Sequence, residues 1–232
     1  MIDLYALTSP NVQKIYLALE ELELPYTEKF VDVWKGDQFS PDFLKINPNN
    51  KIPAIVDHDG PGGKPYTVIE SGAILLYLAD KTGKLLSKDP RKRSDAIQWM
   101  MVQMTGVGPI FGQYTHFTLF APPGNDYSVS RYRTEMKRLY GLLEKRLGEA
   151  PYLGGDEYSI ADVATFPWMR NHDAHGVKWA DNPNLGRWFD AIAARPAVKR
   201  ALEKIGKIKS TREVANDDHK DRLFGRGRYA RA

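Results

Sequence analysis

The chain has no cysteine among its 232 residues. That excludes a disulfide framework, a thiolate metal site and any redox thiol carried by the protein, so sulfur chemistry here requires a sulfur that arrives with a ligand. Long hydrophobic runs are missing too. The longest, residues 73–79, falls far short of the ~20 residues that span a bilayer. Asp3 interrupts the N-terminus where a signal peptide needs a basic region and an apolar core. No membrane partner is expected, and the expected address is cytoplasmic. A surplus of one charge is nearly absent: 33 Lys and Arg face 29 Asp and Glu. The surplus sits wholly in residues 206–232, with eight basic and four acidic residues, and leaves 25 of each sign in the body. Nucleic acid is therefore not an expected partner, and this apolar-poor basic tail reads as a solvated, partly disordered end. His172 and His175 lie three apart with no carboxylate or thiol partner at ligand spacing, so no metal site is expected.

What is present suits a globular protein of one large or two small domains, with 42% hydrophobic and 11% aromatic residues. Residues 2–7 read as an apolar strand. Pro10 opens a helix whose apolar positions Val12, Ile15, Leu19 and Leu22 recur at helical spacing, and Pro25 ends it. A strand over 27–33 follows, then Ser40-Pro41, a cap and first-turn proline, starts a short helix over 41–46. Strands over 52–57 and 66–70 flank the turn Gly60-Pro61-Gly62-Gly63, which lacks the Lys-Ser/Thr ending of a phosphate loop. A helix over 72–81 completes the order β-α-β-α-β-β-α, a thioredoxin-like α/β domain over residues 1–81. After a polar linker, 82–90, the periodicity is helical throughout. Segments 95–113 and 131–147 are amphipathic, Ser159-Ile160-Ala161-Asp162 is a capping box opening a buried helix, and a further helix covers 183–194. The expected architecture is an α/β thioredoxin-like N-terminal domain plus an all-α C-terminal domain over 91–205, with the tail 206–232 beyond it.

Three places in the first domain carry recognition chemistry. Pro53, between the polar Asn49-Asn50-Lys51 and the β-branched run Ile55-Val56, is a candidate cis proline. Such a bond leaves the backbone of Ile52 turned outward to pair with an extended peptide as an added strand. Glu70 and Ser71 stand where a strand becomes a helix, so the first helical N–H groups suit a carboxylate and Glu70 suits an ammonium. Thr8, Ser9 and Asn11 supply hydroxyl and amide donors beside another helix N-terminus.

With Ser9-Pro10-Asn11, Asn49-Asn50-Lys51-Ile52-Pro53-Ala54-Ile55 and Glu70-Ser71-Gly72-Ala73-Ile74 go Gly108-Pro109, Gly112-Gln113 and Tyr158-Ser159-Ile160-Ala161-Asp162. In this order the motifs resemble the glutathione transferases, most closely the bacterial nu class and its disulfide-bond reductase type, over residues 1–205. The resemblance implies a homodimer that binds glutathione, reduced or oxidised, in the first domain and a second substrate against the helices. It implies Ser9, Asn11 and Thr8 as catalytic donors that hold the ligand sulfur as a thiolate. In the resembling class a threonine directly precedes the Pro-Asn pair, whereas here Ser9 does and Thr8 stands one step earlier. Gln38 and Lys51 resemble contacts to the glycine end, and Ile52, Pro53, Glu70 and Ser71 hold the remainder. Arg131 resembles an arginine reaching the γ-glutamyl region from the helical domain. Tyr114, Phe117 and Trp168, within an aromatic group that includes His116, Phe120 and Tyr127, are expected to line the second-substrate cleft.

Three functions are thus open. The leading expectation is a glutathione-dependent oxidoreductase that reduces small disulfides without an enzyme cysteine. The second directs the same thiolate at an electrophile, conjugating it or cleaving an aryl ether. The third is a noncatalytic scaffold of the same fold, ranked last because Asn11, Ile52, Glu70 and Ser71 are all present.

Overall fold

The structure, a computed structural model, describes residues 1–225. It resolves into two units: Met1–Ile74 together with the described residues from Ala201, and Leu75–Arg200. Both divisions fall inside continuous helices, which is why composition and periodicity place them elsewhere, at residues 81–91 and 205.

The first unit is built on strand β1 (Ile2–Ala6), helix α1 (Pro10–Glu21), strand β2 (Tyr26–Phe30), helix α2 (Pro41–Ile46), strands β3 (Ala54–Asp57) and β4 (Tyr66–Ile69), and the start of helix α3 (Ser71–Thr82). The sheet order is β2-β1-β3-β4. β1 is central and alternates buried with half-buried residues, as a strand with two unequal faces should. It runs parallel to β2 and antiparallel to β3, and β3 is antiparallel to β4. Ser9 caps α1, its hydroxyl accepting from Val12 N at 3.4 Å, and Pro10 fills the first turn. Ser40 and Pro41 do the same for α2. β2 is shorter than the apolar run suggests. Beyond Val31, the Asp32 carboxylate accepts from Trp34 N and the Asp37 carboxylate from Asp32 N, and these bonds bend the chain into a turn.

The second unit contains the rest of α3, α4 (Pro90–Val102), α5 (Gly108–Leu119), α6 (Asp126–Glu149), α7 (Ile160–Met169), α8 (Pro183–Ala193) and the first half of α9 (Pro196–Gly206). The expected linker ends early. Asp89 caps α4 by accepting from Arg91 N and Lys92 N, but the first turn is wholly polar, so apolar spacing becomes visible only from Ala96. α4 and α5 meet through a π-helical turn, Gln103–Val107. The capping box forms around a fully buried Asp162, whose carboxylate accepts from Ser159 N, Ser159 Oγ, Leu153 N and Trp188 Nε1 at 2.8–3.1 Å.

The tail departs from expectation. Residues 206–225 do not run free along the first unit but pack on it, ending in helix α10 (Asp217–Phe224). Thr211 donates to the Asp32 carboxylate, Arg222 Nη1 donates to Lys35 O at 2.6 Å, and the Phe224 ring meets buried Trp34 edge-on at 6.0 Å. Upstream, Lys204 Nζ reaches Glu20 Oε1 at 2.6 Å. A single well-placed aromatic and a few paired polar groups anchor a segment that hydrophobic content alone would leave loose. Residues 226–232, the remainder of that tail, lie outside the described residues.

Candidate functional site

Strand register decides where the recognition residues meet. Ala6, the last residue of β1, pairs with Phe30, the last of β2. Tyr5 pairs with Ala54, the first residue of β3, and Ala54 pairs with Ile69, the last of β4. The segments leaving or entering the sheet at that one end are therefore Thr8 to Asn11, the turn after β2 that holds Gln38, Ile52-Pro53, and Glu70-Ser71. Residues up to 63 apart in sequence converge because antiparallel and parallel pairing both place these termini together. α1 and α3 also begin there, so two helix N-termini add positive potential at the same edge.

The local geometry supports binding from each segment. The Ile52–Pro53 peptide bond is cis, and Ile52 makes no backbone–backbone hydrogen bond among the described residues. The loop before it is pinned by buried Asn47, whose Nδ2 donates to Lys51 O at 2.7 Å and whose Oδ1 accepts from Asn49 N. Glu70 has φ +67°, a left-handed conformation that turns β4 sharply into α3. Its exposed carboxylate accepts from Asn49 Nδ2 at 3.3 Å. Lys51 is exposed at the same loop.

At the start of α1 the half-buried Asn11 amide makes no hydrogen bond among the described residues. Ser9 uses a lone pair as the cap, which leaves its hydroxyl proton to donate, so capping and ligand contact are compatible. Thr8 is half-buried, and its carbonyl accepts from Gln13 Nε2 at 3.0 Å. Gln38 is not a loose loop residue. It is 2% exposed in the short turn Asp37–Phe39, donates from Nε2 to Val33 O at 3.2 Å, and has a buried Oε1 unpaired among the described residues.

One residue at this edge escaped the sequence reading. Lys14, one turn beyond Asn11 on α1, is fully buried, and its Nζ donates to Ser71 Oγ at 3.2 Å. Burial pulls its pKa down to about 7 against a counteracting pull from the Glu70 carboxylate. A lone lysine inside the apolar run Val12 to Leu19 is the signal that marks it.

The helical unit places its predicted residues separately. Arg131 on α6 is exposed and stands 4.0 Å from Glu135, one turn on. On α5, Tyr114 lies under Arg133 and against buried His175, while Phe117 stacks on Tyr132 at 5.5 Å. Trp168 of α7 is 8% exposed, with its indole N–H unpaired among the described residues. A Cβ on Gly112 would meet this ring at an ordinary 3.7 Å, whereas one on Gly108 would stand 3.0 Å from Gln103 Nε2. Tyr127 is exposed on its own. His175 bonds Tyr140 at 2.9 Å and is driven down to about 4 by burial, and His172 stacks on Trp179. Among the described residues no group of His, Asp and Glu is arranged to hold a metal ion.

Profiles of two domain families match this chain: "Glutathione S-transferase, N-terminal domain" over residues 8–81 and "Glutathione S-transferase, C-terminal domain" over 107–196. The chain belongs to the glutathione S-transferase family. It is 50% identical over 205 residues to the disulfide-bond oxidoreductase YfcG of Escherichia coli strain K12, covering 88% of this chain and 95% of that one. Among solved structures, a glutathione transferase from Burkholderia graminis is 49% identical, with a TM-score of 0.83 and 89% of each chain covered. It was crystallised with two glutathione molecules per subunit. One from Pseudomonas putida, 43% identical with a TM-score of 0.82 over 87% of this chain and 90% of that one, holds one glutathione disulfide per subunit. For a transferase of this family, the first unit is the thioredoxin-like domain and the second the helical domain.

Proposed function

We propose that this transferase binds glutathione at the shared strand end and uses the ligand's sulfur to reduce disulfides with no cysteine of its own. The observation that carries the reading is the convergence, by register, of Asn11, Ile52 and Glu70-Ser71 on one sheet edge. Ile52 pairs with the cysteinyl backbone as an added strand. Ser71 and the first N–H groups of α3 hold the γ-glutamyl carboxylate, and Glu70 accepts from the ammonium. Lys51 and Gln38 take the glycine end.

The sulfur then lies against Thr8, Ser9 and Asn11. Each hydrogen bond donated to a thiolate is worth about 1.5–3 kcal/mol, roughly one to two pKa units, so one or two suffice to ionise a thiol near neutral pH. Asn11 is the principal donor in this reading, because its amide has no competing partner among the described residues. The held thiolate displaces one sulfur of a substrate disulfide, and a second glutathione thiol completes the exchange. Two glutathione thiols are oxidised to one glutathione disulfide, and the substrate leaves as two thiols. The names of YfcG and the ligands of the Burkholderia and Pseudomonas proteins support the assignment.

The same reading assigns the chain to the nu class, as a cytoplasmic homodimer. A reducing glutathione pool is what such an enzyme draws on. Exposed Phe39, Leu44 and Tyr66 offer apolar surface that a second copy could cover. Arg131 and the Tyr114, Phe117 and Trp168 group are assigned to the γ-glutamyl end and the second substrate. The test is a ranking of substrates: with glutathione, turnover of 2-hydroxyethyl disulfide is expected to far exceed that of a chlorodinitrobenzene-type acceptor. The opposite order assigns conjugation instead, and no heat on titration with glutathione removes the enzymatic reading.

A further inference from the structure

Resting on that reading, we infer that residues 211–224 form a strap that holds Gln38 in place for the glycine end of glutathione, with Arg222 and Phe224 as positioning residues. Gln38 hangs from a turn, outside the sheet ladder. Val31 N still donates to Ala6 O at 3.0 Å, and then the chain leaves the sheet. Lys35 N, Gly36 N and Asp37 N all donate to Asp32 O at 3.0–3.3 Å, and the Asp37 carboxylate accepts from Asp32 N at 2.9 Å. Gln38 Nε2 joins them by donating to Val33 O at 3.2 Å. Every one of these bonds lies within residues 32–38. Bonds so local fix the shape of the turn, whereas fixing its place takes contacts from outside it.

The tail supplies such contacts. Thr211 donates to the Asp32 carboxylate, Arg222 Nη1 donates to Lys35 O at 2.6 Å, and the Phe224 ring meets buried Trp34 edge-on at 6.0 Å. Between them the Arg222 stem crosses Gly36, where a Cβ would stand 2.8 Å from Arg222 Cδ. Gly36 holds φ +94°, a left-handed conformation that favours glycine, so the turn presents bare backbone where the arginine passes. Asp32, Trp34, Lys35 and Gly36 are thus each held by the tail, and Gln38 stands two residues further on. Arg222 and Phe224 touch no reacting atom in this arrangement. They raise the fraction of molecules in which Gln38 is ready for the ligand, and affinity rises in proportion to that fraction.

The test compares two ligands. Wild type, Arg222→Ala, Phe224→Ala, Gln38→Met and the double variant Gln38→Met with Phe224→Ala are titrated by calorimetry with glutathione and with γ-glutamylcysteine, which lacks the glycine. Wild type is expected to prefer glutathione. Phe224→Ala and Arg222→Ala are expected to lose about fivefold of that preference, the effect of a turn that is competent in about one molecule in five, with similar affinity for γ-glutamylcysteine. Gln38→Met should lose the preference as well, and the double variant should lose no more than Gln38→Met alone, because both changes act on one contact. A general packing defect would weaken both ligands alike and leave the ratio intact. A ratio preserved in both tail variants or in Gln38→Met overturns the inference, as do additive losses in the double variant. A wild type that binds the two ligands equally removes the glycine contact and the inference with it. Failure of wild type to bind glutathione at all overturns the proposed function instead.

Discussion

Replacing Lys14 with methionine is expected to stabilise the protein in mild acid and to stabilise it less as the pH rises. In the fold the Lys14 ammonium titrates at about 7 rather than at its ordinary 10.5, because burial disfavours the charge. Below pH 7 the lysine is protonated in both the folded and unfolded chain, and the folded state bears the whole cost of burying it. Between pH 7 and 10.5 only the unfolded chain holds the proton, so unfolding takes one up and stability rises with pH. Above both values the effect vanishes. At 1.36 kcal/mol per unit the cost is about 5 kcal/mol on the acid side, and about 3 kcal/mol of it is relieved between pH 6 and pH 9. Methionine is unbranched and of similar length, so it follows the same channel with little repacking. Loss of the bond to Ser71 costs about 1 kcal/mol. Lys14→Met should therefore gain roughly 4 kcal/mol at pH 6 and only about 1 kcal/mol at pH 9. Urea unfolding of both proteins across this range reads the difference, in which the other titrating groups cancel. Parallel pH curves would refute the reasoning, since they would mean that the lysine keeps an ordinary pKa and is not sealed from water. A residue that costs stability when buried charged is retained for another reason.

Asn11→Ala is expected to lower disulfide turnover by roughly 10- to 100-fold, the value of one charge-assisted hydrogen bond. Ser9→Ala should lower it less and cost about 1 kcal/mol of stability as a lost cap; equal activity of both variants with wild type rejects Asn11 as the main donor. Glu70→Ala should weaken glutathione binding in calorimetry with little change in melting temperature, because the side chain is exposed. Asp162→Ala leaves the Leu153, Ser159 and Trp188 donors unpaired in the interior, and a loss of about 3–5 kcal/mol in urea unfolding is expected. Ending the chain after Gly206 uncovers Trp34 and frees Asp32 and Lys35, so the melting temperature should fall by several degrees, on the order of 2 kcal/mol. An unchanged value would show that the tail contributes nothing to the first unit.

Much of the fold was legible because its signals are local. Ser9-Pro10, Ser40-Pro41 and the Ser159–Asp162 box each cap a helix as their chemistry dictates. The four strands and the cis bond before Pro53 also follow from short runs and one proline. What failed was local evidence of a weaker kind. The first turn of α4 is polar and shows no periodicity, and the tail's apolar content is too sparse to betray that Phe224 has buried Trp34 to rest against.

By itself the sequence determined which groups are available: no thiol, three donors at a helix start, an outward-turned Ile52, and an acid-hydroxyl pair at a second helix start. Only the tertiary structure decided that these groups share one end of a sheet, since the pairing of Tyr5 with Ala54 and of Ala54 with Ile69 is a long-range choice of register. It likewise decided the fate of Lys14. The apolar run around that lysine hints at burial, but its burial and its bond to Ser71, 57 residues away, exist only once α1 is packed against the start of α3.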